Sequence, residues 1–259
     1  GTQPVAIHLH PGGSGNITGQ AFASGSGTSE AVVGDATATG NLDATGINLT
    51  DAGADITIGD SGTISGLAVI GELNGLGQLA ESVSLTATTT DGVSTATGTF
   101  DGAGIQGVDG GTTLTAGPSD GDVSGQVLAG GSVVASTVGT SGGTDDASAT
   151  INTSTIAGLS DVDITAGQAG TNLVLGTSLG DFEAIASSTE GDATASSDVN
   201  AFGIRDADGD GTITTSGGIR AIANLSNSVV ANTVNGNASA TATADAVGLS
   251  GYSVTILGS

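Results

Sequence analysis

Apolar and polar residues alternate along this chain in short stretches, and no stretch follows a helical period. In Asp55–Ile58 and Thr63–Ile70 the apolar residues recur at every second position, which places them on one face of a pleated strand. Ser82–Thr88 alternates likewise, with Val83, Leu85 and Ala87 on one side, and the stretch before Ile47 sets Ala36 and Ala38 against Thr37 and Thr39. Two-residue turn signals separate such stretches at Gly34-Asp35, Asp91-Gly92, Glu190-Gly191 and Asn235-Gly236. Asp-Gly and Asn-Gly favour the type I′ turn, which needs positive φ at both central residues, so the local expectation is antiparallel hairpins.

The alternating stretches repeat. One block reads GDATATGNLDATGI at 34–47, GVSTATGTFDGAGI at 92–105, GDATASSDVNAFGI at 191–204 and GNASATATADAVGL at 236–249, with a looser copy at 145–159. Its end points are Ile47, Ile105, Leu159, Ile204 and Leu249, each preceded by glycine. A second block of strand, glycine-rich turn and strand follows each copy, as in ADITIGDSGTISGLAVI at 54–70 and VDITAGQAGTNLVLG at 162–176. Residues 5–23 fit that template and residues 253–259 supply only its first strand, so the sequence opens and closes on the same element. The expected fold is all-β: about five tandem four-stranded hairpin repeats, forming one repeat-built domain over residues 1–259 in a stacked β-solenoid-like or β-sandwich arrangement. The alternative is a five-bladed β-propeller-like ring. The stack is favoured, because propeller blades use aromatic or large apolar wedges and only 2% of this chain is aromatic.

Composition sharpens this picture. With 47 glycines among 259 residues and no Cys, Met or Trp, the chain cannot fill a thick core. Burial is expected in thin layers, where Val, Ile and Ala meet across closely spaced backbones. A mean hydropathy of +0.22 and a near absence of Pro and Lys argue against disorder.

Charge narrows the function. Against 26 acidic residues stand only Arg205 and Arg220, giving a net charge of −24. Phosphate recognition needs clustered cations, so nucleic acid is excluded as a partner, and anionic membrane surfaces are disfavoured. No apolar run of 18 residues exists, so no membrane insertion is expected. A polyanion of small residues without thiols or Lys suits a salty or Ca²⁺-rich exterior, which points to an extracellular or cell-surface protein read here after loss of its signal peptide.

Candidate chemistry is sparse. Asp206, Asp208 and Asp210 form D-x-D-G-D-G, the start of a Ca²⁺ loop, but position 12 of that loop is Gly217 rather than the bidentate Glu of an EF-hand. A simpler β-loop site for Ca²⁺ is the expectation there, with Asp161 and Asp163 as weaker candidates. His8 and His10 share a strand face without further ligands, and a solvent-facing or packed pair is favoured over a metal site. No Gly-x-Ser-x-Gly, P-loop or His-Glu-x-x-His occurs, so an enzyme is not expected and no cofactor beyond Ca²⁺ is implied.

An open stack leaves unpaired strand edges that recruit other chains. The terminal strands Val5–His10 and Ser253–Leu257, through Val5, Ile7, Val254 and Ile256, are expected to join copies head to tail, the competing arrangement being that they pair within one molecule. The repeat A-x-A-T/S-A-x…G-I followed by D-I-T-x-G…T-I-x-G resembles microbial extracellular β-strand-repeat and adhesin-like surface proteins. That resemblance implies display, adhesion or matrix building outside the cell. The expected function is a structural subunit of a filament, sheath or surface layer that partners with itself. The alternative is a Ca²⁺-stabilised adhesin or module that binds surface glycans.

Overall fold

The computed structural model describes residues 6–8, 15–49, 54–59, 61–108, 111–117, 120–139, 145–167 and 172–257. The chain winds through successive coils that stack on one another. The first coil holds β1 (Ala6–His8), β2 (Ile17–Ala23), β3 (Ser26–Ala31) and β4 (Ala36–Asn48). The second holds β5 (Asp55–Thr57), β6 (Ser61–Ile70), β7 (Glu72–Leu73), β8 (Leu79–Glu81), β9 (Val83–Thr89) and β10 (Ser94–Gln106). The third is β11 (Thr113–Ala116), β12 (Asp120–Thr137) and β13 (Ala147–Ser160); the fourth is β14 (Asp163–Ala166), β15 (Leu173–Ser188) and β16 (Ala193–Arg205). The fifth is β17 (Gly211–Thr215), β18 (Gly218–Thr233) and β19 (Ala238–Ser250), and β20 (Tyr252–Ile256) opens a sixth.

Equivalent strands pair in parallel across coils and build three sheets. The first, of short strands, runs β1-β5-β11-β14-β17-β20. The second runs β18-β15-β12-β6-β2, with β9 and β3 continuing its second and first rungs, and the third runs β19-β16-β13-β10-β4. The all-β, solenoid-like stack read from the repeats is therefore the fold. Ile47, Ile105, Leu159, Ile204 and Leu249 fall in one column of the third sheet. Parallel pairing, in register apart from bulges between Gly98 and Gly102 and between Ile151 and Ser154, sets most apolar positions of one coil on the same position of the next.

The hairpins do not form. Gly34-Asp35, Asp91-Gly92, Glu190-Gly191 and Asn235-Gly236 are corners, each carrying the chain from the second sheet into the third within one coil. Gly34, Gly92 and Gly236 keep the positive φ that the turn signal implied, at 98°, 138° and 153°. The bend was legible, but the pairing was not: each flanking strand gains more by lying on its equivalent in the next coil than on its neighbour in sequence. A coil consequently has three sides rather than four strands. The antiparallel pair among the described residues is β7–β8, a hairpin inserted into the second coil. The ring alternative falls with the hairpins, since propeller blades are antiparallel. β1 and β20 lie at opposite edges of the first sheet and do not pair with each other.

Two cores run along the stack. Ala36, Ala96, Ala149 and Ala195 belong to a thin alanine layer between the second and third sheets, thickened by Phe100 and Phe182 with ring centroids 5.7 Å apart. Ile56, Ile64, Ile105, Leu114, Leu159 and Ile204 belong to a second core enclosed by all three sheets. Each such Ile or Leu contributes about 1.5–3 kcal/mol by burial. A glycine seam separates the two. A Cβ on Gly66, Gly125 or Gly176 of the second sheet would run into the carbonyl oxygen of Gly104, Gly158 or Gly203 of the third. The recurring Gly-Ile and Gly-Leu endings thus have two duties: the glycine lets the sheets touch, and the next residue fills the core enclosed by all three sheets.

Candidate functional site: the open ends of the stack

The last coil exposes what earlier coils bury. Ala193, Ala195 and Ala201 of β16 are fully buried, while their partners in register on β19, Ala238, Ala240 and Ala246, are exposed. Ile204 is 0% exposed and its partner Leu249 is 39% exposed; Ile213 is 0% and its partner Val254 is 42%. Beside them Ile256 is 65% exposed. Nothing in the local sequence of β19 differs in kind from that of β16. Its alanines face water because no further described coil lies on them. No helix covers this edge among the described residues, so the outer side of β18, β19 and β20 presents unpaired peptide groups.

Of the four residues marked in the terminal strands, Val254 and Ile256 lie in β20 at this open edge. Ile7 lies in β1 at the opposite edge of the same sheet, in register with Ile56. Val5 and His10 lie outside the described residues.

The seam gives the stack a direction. Third-sheet glycines approach the second-sheet backbone of the following coil: Gly46 meets Leu67, Gly104 meets Gln126, Gly158 meets Thr177 and Gly203 meets Ile222. Aspartates follow the same direction, a device that the sequence reading missed. Seven accept a backbone N–H from the next coil: Asp35 from Val93, Asp101 from Thr155, Asp122 from Leu173, Asp146 from Asp192, Asp161 from Ala207, Asp163 from Thr212 and Asp192 from Asn237, all at 2.7–3.0 Å. Asp145 takes the reverse direction, accepting from Gly92 at 2.8 Å. Part of the chain's acidity is therefore a set of acceptors binding coil to coil. The signal in the sequence was Asp35, Asp146 and Asp192, each just before a strand of the third sheet.

Two groups on this framework are displaced from their ordinary titration. Burial raises the Asp101 carboxyl, with Asp43 beside it adding to the rise and the Thr155 N–H opposing it. Burial also pushes the Tyr252 phenol up, helped by Asp206, Asp161 and Asp163 and opposed by its hydrogen bond at Val162.

In the marked calcium loop, one carboxylate bonds within its own turn. Asp206 is buried, and its Oδ2 accepts the N–H groups of Gly209, Asp210 and Gly211 at 2.8, 2.9 and 2.9 Å. Asp208 and Asp210 are exposed. Among the described residues, no group of three or more His, Asp or Glu side chains is placed to hold a metal ion. The D-x-D-G-D-G pattern here closes the corner between the third and first sheets. Asp161 and Asp163, the weaker candidates, serve as acceptors for the next coil.

Compared with known proteins, the chain matches no family model, no curated protein and no solved structure.

Proposed function

We propose that this protein is a structural subunit of an extracellular filament, sheath or surface layer, built by stacking copies head to tail through β-strand addition. The observation that carries this reading is the uncovered apolar face of the fifth coil, where β19 exposes alanines that every inner coil buries. An exposed strand edge next to apolar side chains is a template for another strand. Without Lys at that edge, the chain lacks the commonest device that keeps such edges apart. The acidic surface suits an ion-rich exterior, where counterions screen repulsion between copies. Electron microscopy of the purified chain across a concentration series tests the proposal. Unbranched filaments with a fixed axial repeat are expected, and discrete particles at every concentration would refute it.

A second reading, a surface adhesin, draws on one feature. The β7–β8 hairpin leans over the outer face of the second sheet and bounds a groove of about 420 Å³ lined by Gln78, Leu79, Gln126, Leu179, Asp181 and Asn224. Amide and carboxylate groups beside leucines fit a glycan's mixture of hydroxyls and apolar ring faces. Glycan-array binding that is lost in Gln126→Ala and Asn224→Ala, by a chain that stays monomeric, would favour this reading over the first.

A further inference from the structure

The topology constrains how two such stacks join. β20 occupies the first-sheet position of a sixth coil, and that is the position β1 occupies in the first coil of a following copy. If β20 paired onto an intact β1, the first sheet would continue, but the second and third sheets would each miss one rung. β19 and β4 would then stand about 9.6 Å apart, twice the spacing of paired strands. All three sheets can continue only if one of the two end strands leaves, and β20, with five residues paired to β17 against the three that pair β1 to β5, is the strand more firmly held.

We infer that the joint is a strand exchange, in which β20 of one copy displaces β1 of the next and pairs with its β5. This rests on the assembly reading above and specifies its register. Val254 takes the place of Ile7 beside Ile56, because both occupy the column Ile56–Leu114–Ile164–Ile213. Among the described residues the new strand has five residues and the old three. Ala238 then lies on Ala36, Leu249 on Ile47 and Ile219 on Ile17, each continuing its own column.

Three further features match at this register. Gly248 stands where the other third-sheet glycines meet the second-sheet backbone of the following coil, and the column of Leu67, Gln126, Thr177 and Ile222 supplies Gln20 of the next copy. Asn237 bonds back to Asp192 through its N–H and Nδ2, at 2.7 and 3.0 Å. At the joint it lies on Asp35 of the next copy, just before the pair Ala238 and Ala36, so that an amide and not a second carboxylate faces Asp35. The apolar edge left open by Leu249, Val254 and Ile256 becomes interior.

Because the chain has no cysteine, disulfide trapping reads the register directly. Thr57 and Thr255 share a column but lie four rungs apart within one chain, roughly 19 Å, beyond disulfide reach. Under oxidation the pair Thr57→Cys/Thr255→Cys is expected to give a ladder of covalent multimers, in filaments whose axial repeat is five coils, about 24 Å. The pair His8→Cys/Thr255→Cys reports β20 lying on a retained β1. A ladder from that pair, with a repeat near 29 Å for six rungs, would overturn the exchange and leave polymerisation standing. Removal of residues 1–10 is expected to shorten the lag before filaments appear, and an unchanged lag in a folded variant would count against displacement of β1. If the unmodified chain forms no filament at any concentration, the assembly reading itself fails.

Discussion

The hydroxyl of Tyr252 in β20 donates to the carbonyl oxygen of Val162 at 3.0 Å, across 90 residues of sequence and two coils of the stack. It reaches that far because Gly211, directly beneath it in β17, has no side chain: a Cβ there would press on the Tyr252 ring. The same oxygen takes the Val162 N–H at 3.3 Å and lies 3.3 Å from the Arg205 carbonyl. One phenol thus pins the open end of the first sheet to two earlier corners.

Tyr252 is the chain's single tyrosine, so its ionisation can be followed without interference by ultraviolet absorbance. Its folded pKa lies above the unfolded value, so the stability it contributes is full below about pH 10 and is lost as pH rises through the folded value. Absorbance should therefore report ionisation later than in a denatured control. Tyr252→Phe should destabilise β20 by about 1–3 kcal/mol, through the donors and acceptors left without a partner. Hydrogen exchange confined to residues 252–257 would check it.

The seam predicts a contrast between glycines. Gly125→Ala sets a methyl against the Gly158 carbonyl, backbone on backbone, and should cost about 1–3 kcal/mol or more. Gly25→Ala meets nothing within 4 Å and should be near neutral. Urea midpoints for the two variants, measured side by side, decide whether close approach of the sheets is what selects glycine.

For Asp101 the sign of the pH effect is opposite to that of an ordinary paired carboxylate. Its folded pKa is raised, so protonation favours the fold, and that contribution fades as pH rises through the folded value. Asp101→Asn keeps an acceptor for the Thr155 N–H and removes the charge facing Asp43. It should melt higher than the parent at pH 7 and lose that advantage near about pH 3, where the parent carboxyl is protonated. Equal melting temperatures at both pH values would refute the assignment.

Asp206→Ala orphans three backbone donors and should cost roughly 3 kcal/mol, whereas Asp206→Asn, still an acceptor, should cost less. Because the carboxylate already fills its turn, Ca²⁺ should raise the melting temperature no more than Mg²⁺ at equal ionic strength. A stabilisation specific to Ca²⁺ and lost in Asp208→Asn would establish the loop as a cation site and refute this expectation.

The exchanged joint contains one like-charge contact in the third sheet. Asp43, Asp101, Thr155, Asn200 and Asp245 share an outward column, so Asp245 of one copy would lie on Asp43 of the next. Asp101 and Asp161 add negative charge nearby, and Arg205 the nearest positive charge at the same pocket. Asp245→Asn should lower the concentration at which filaments form, most clearly at low salt. Light scattering against concentration for the two chains would show it, and identical thresholds would count against this register.

The sequence by itself determined the strands, the bends and the repeat. Alternation in Thr63–Ile70 and Ser82–Thr88 marked faces that are indeed buried, and the Gly-Ile and Gly-Leu endings marked a column that runs the length of the stack. It did so because alternation and positive φ are local properties, written within a few residues. Which strand pairs with which is not local. An Asp-Gly bend is equally compatible with a hairpin and with a corner, and only the burial gained when Ala96 lies between Ala38 and Ala149 selects the corner. The tertiary structure likewise decided that Asp206 serves its own turn, and that Asp146 and Asp192 bind the next coil. It left both edges of the stack without a covering coil among the described residues, because coil-to-coil burial ends wherever the stack does.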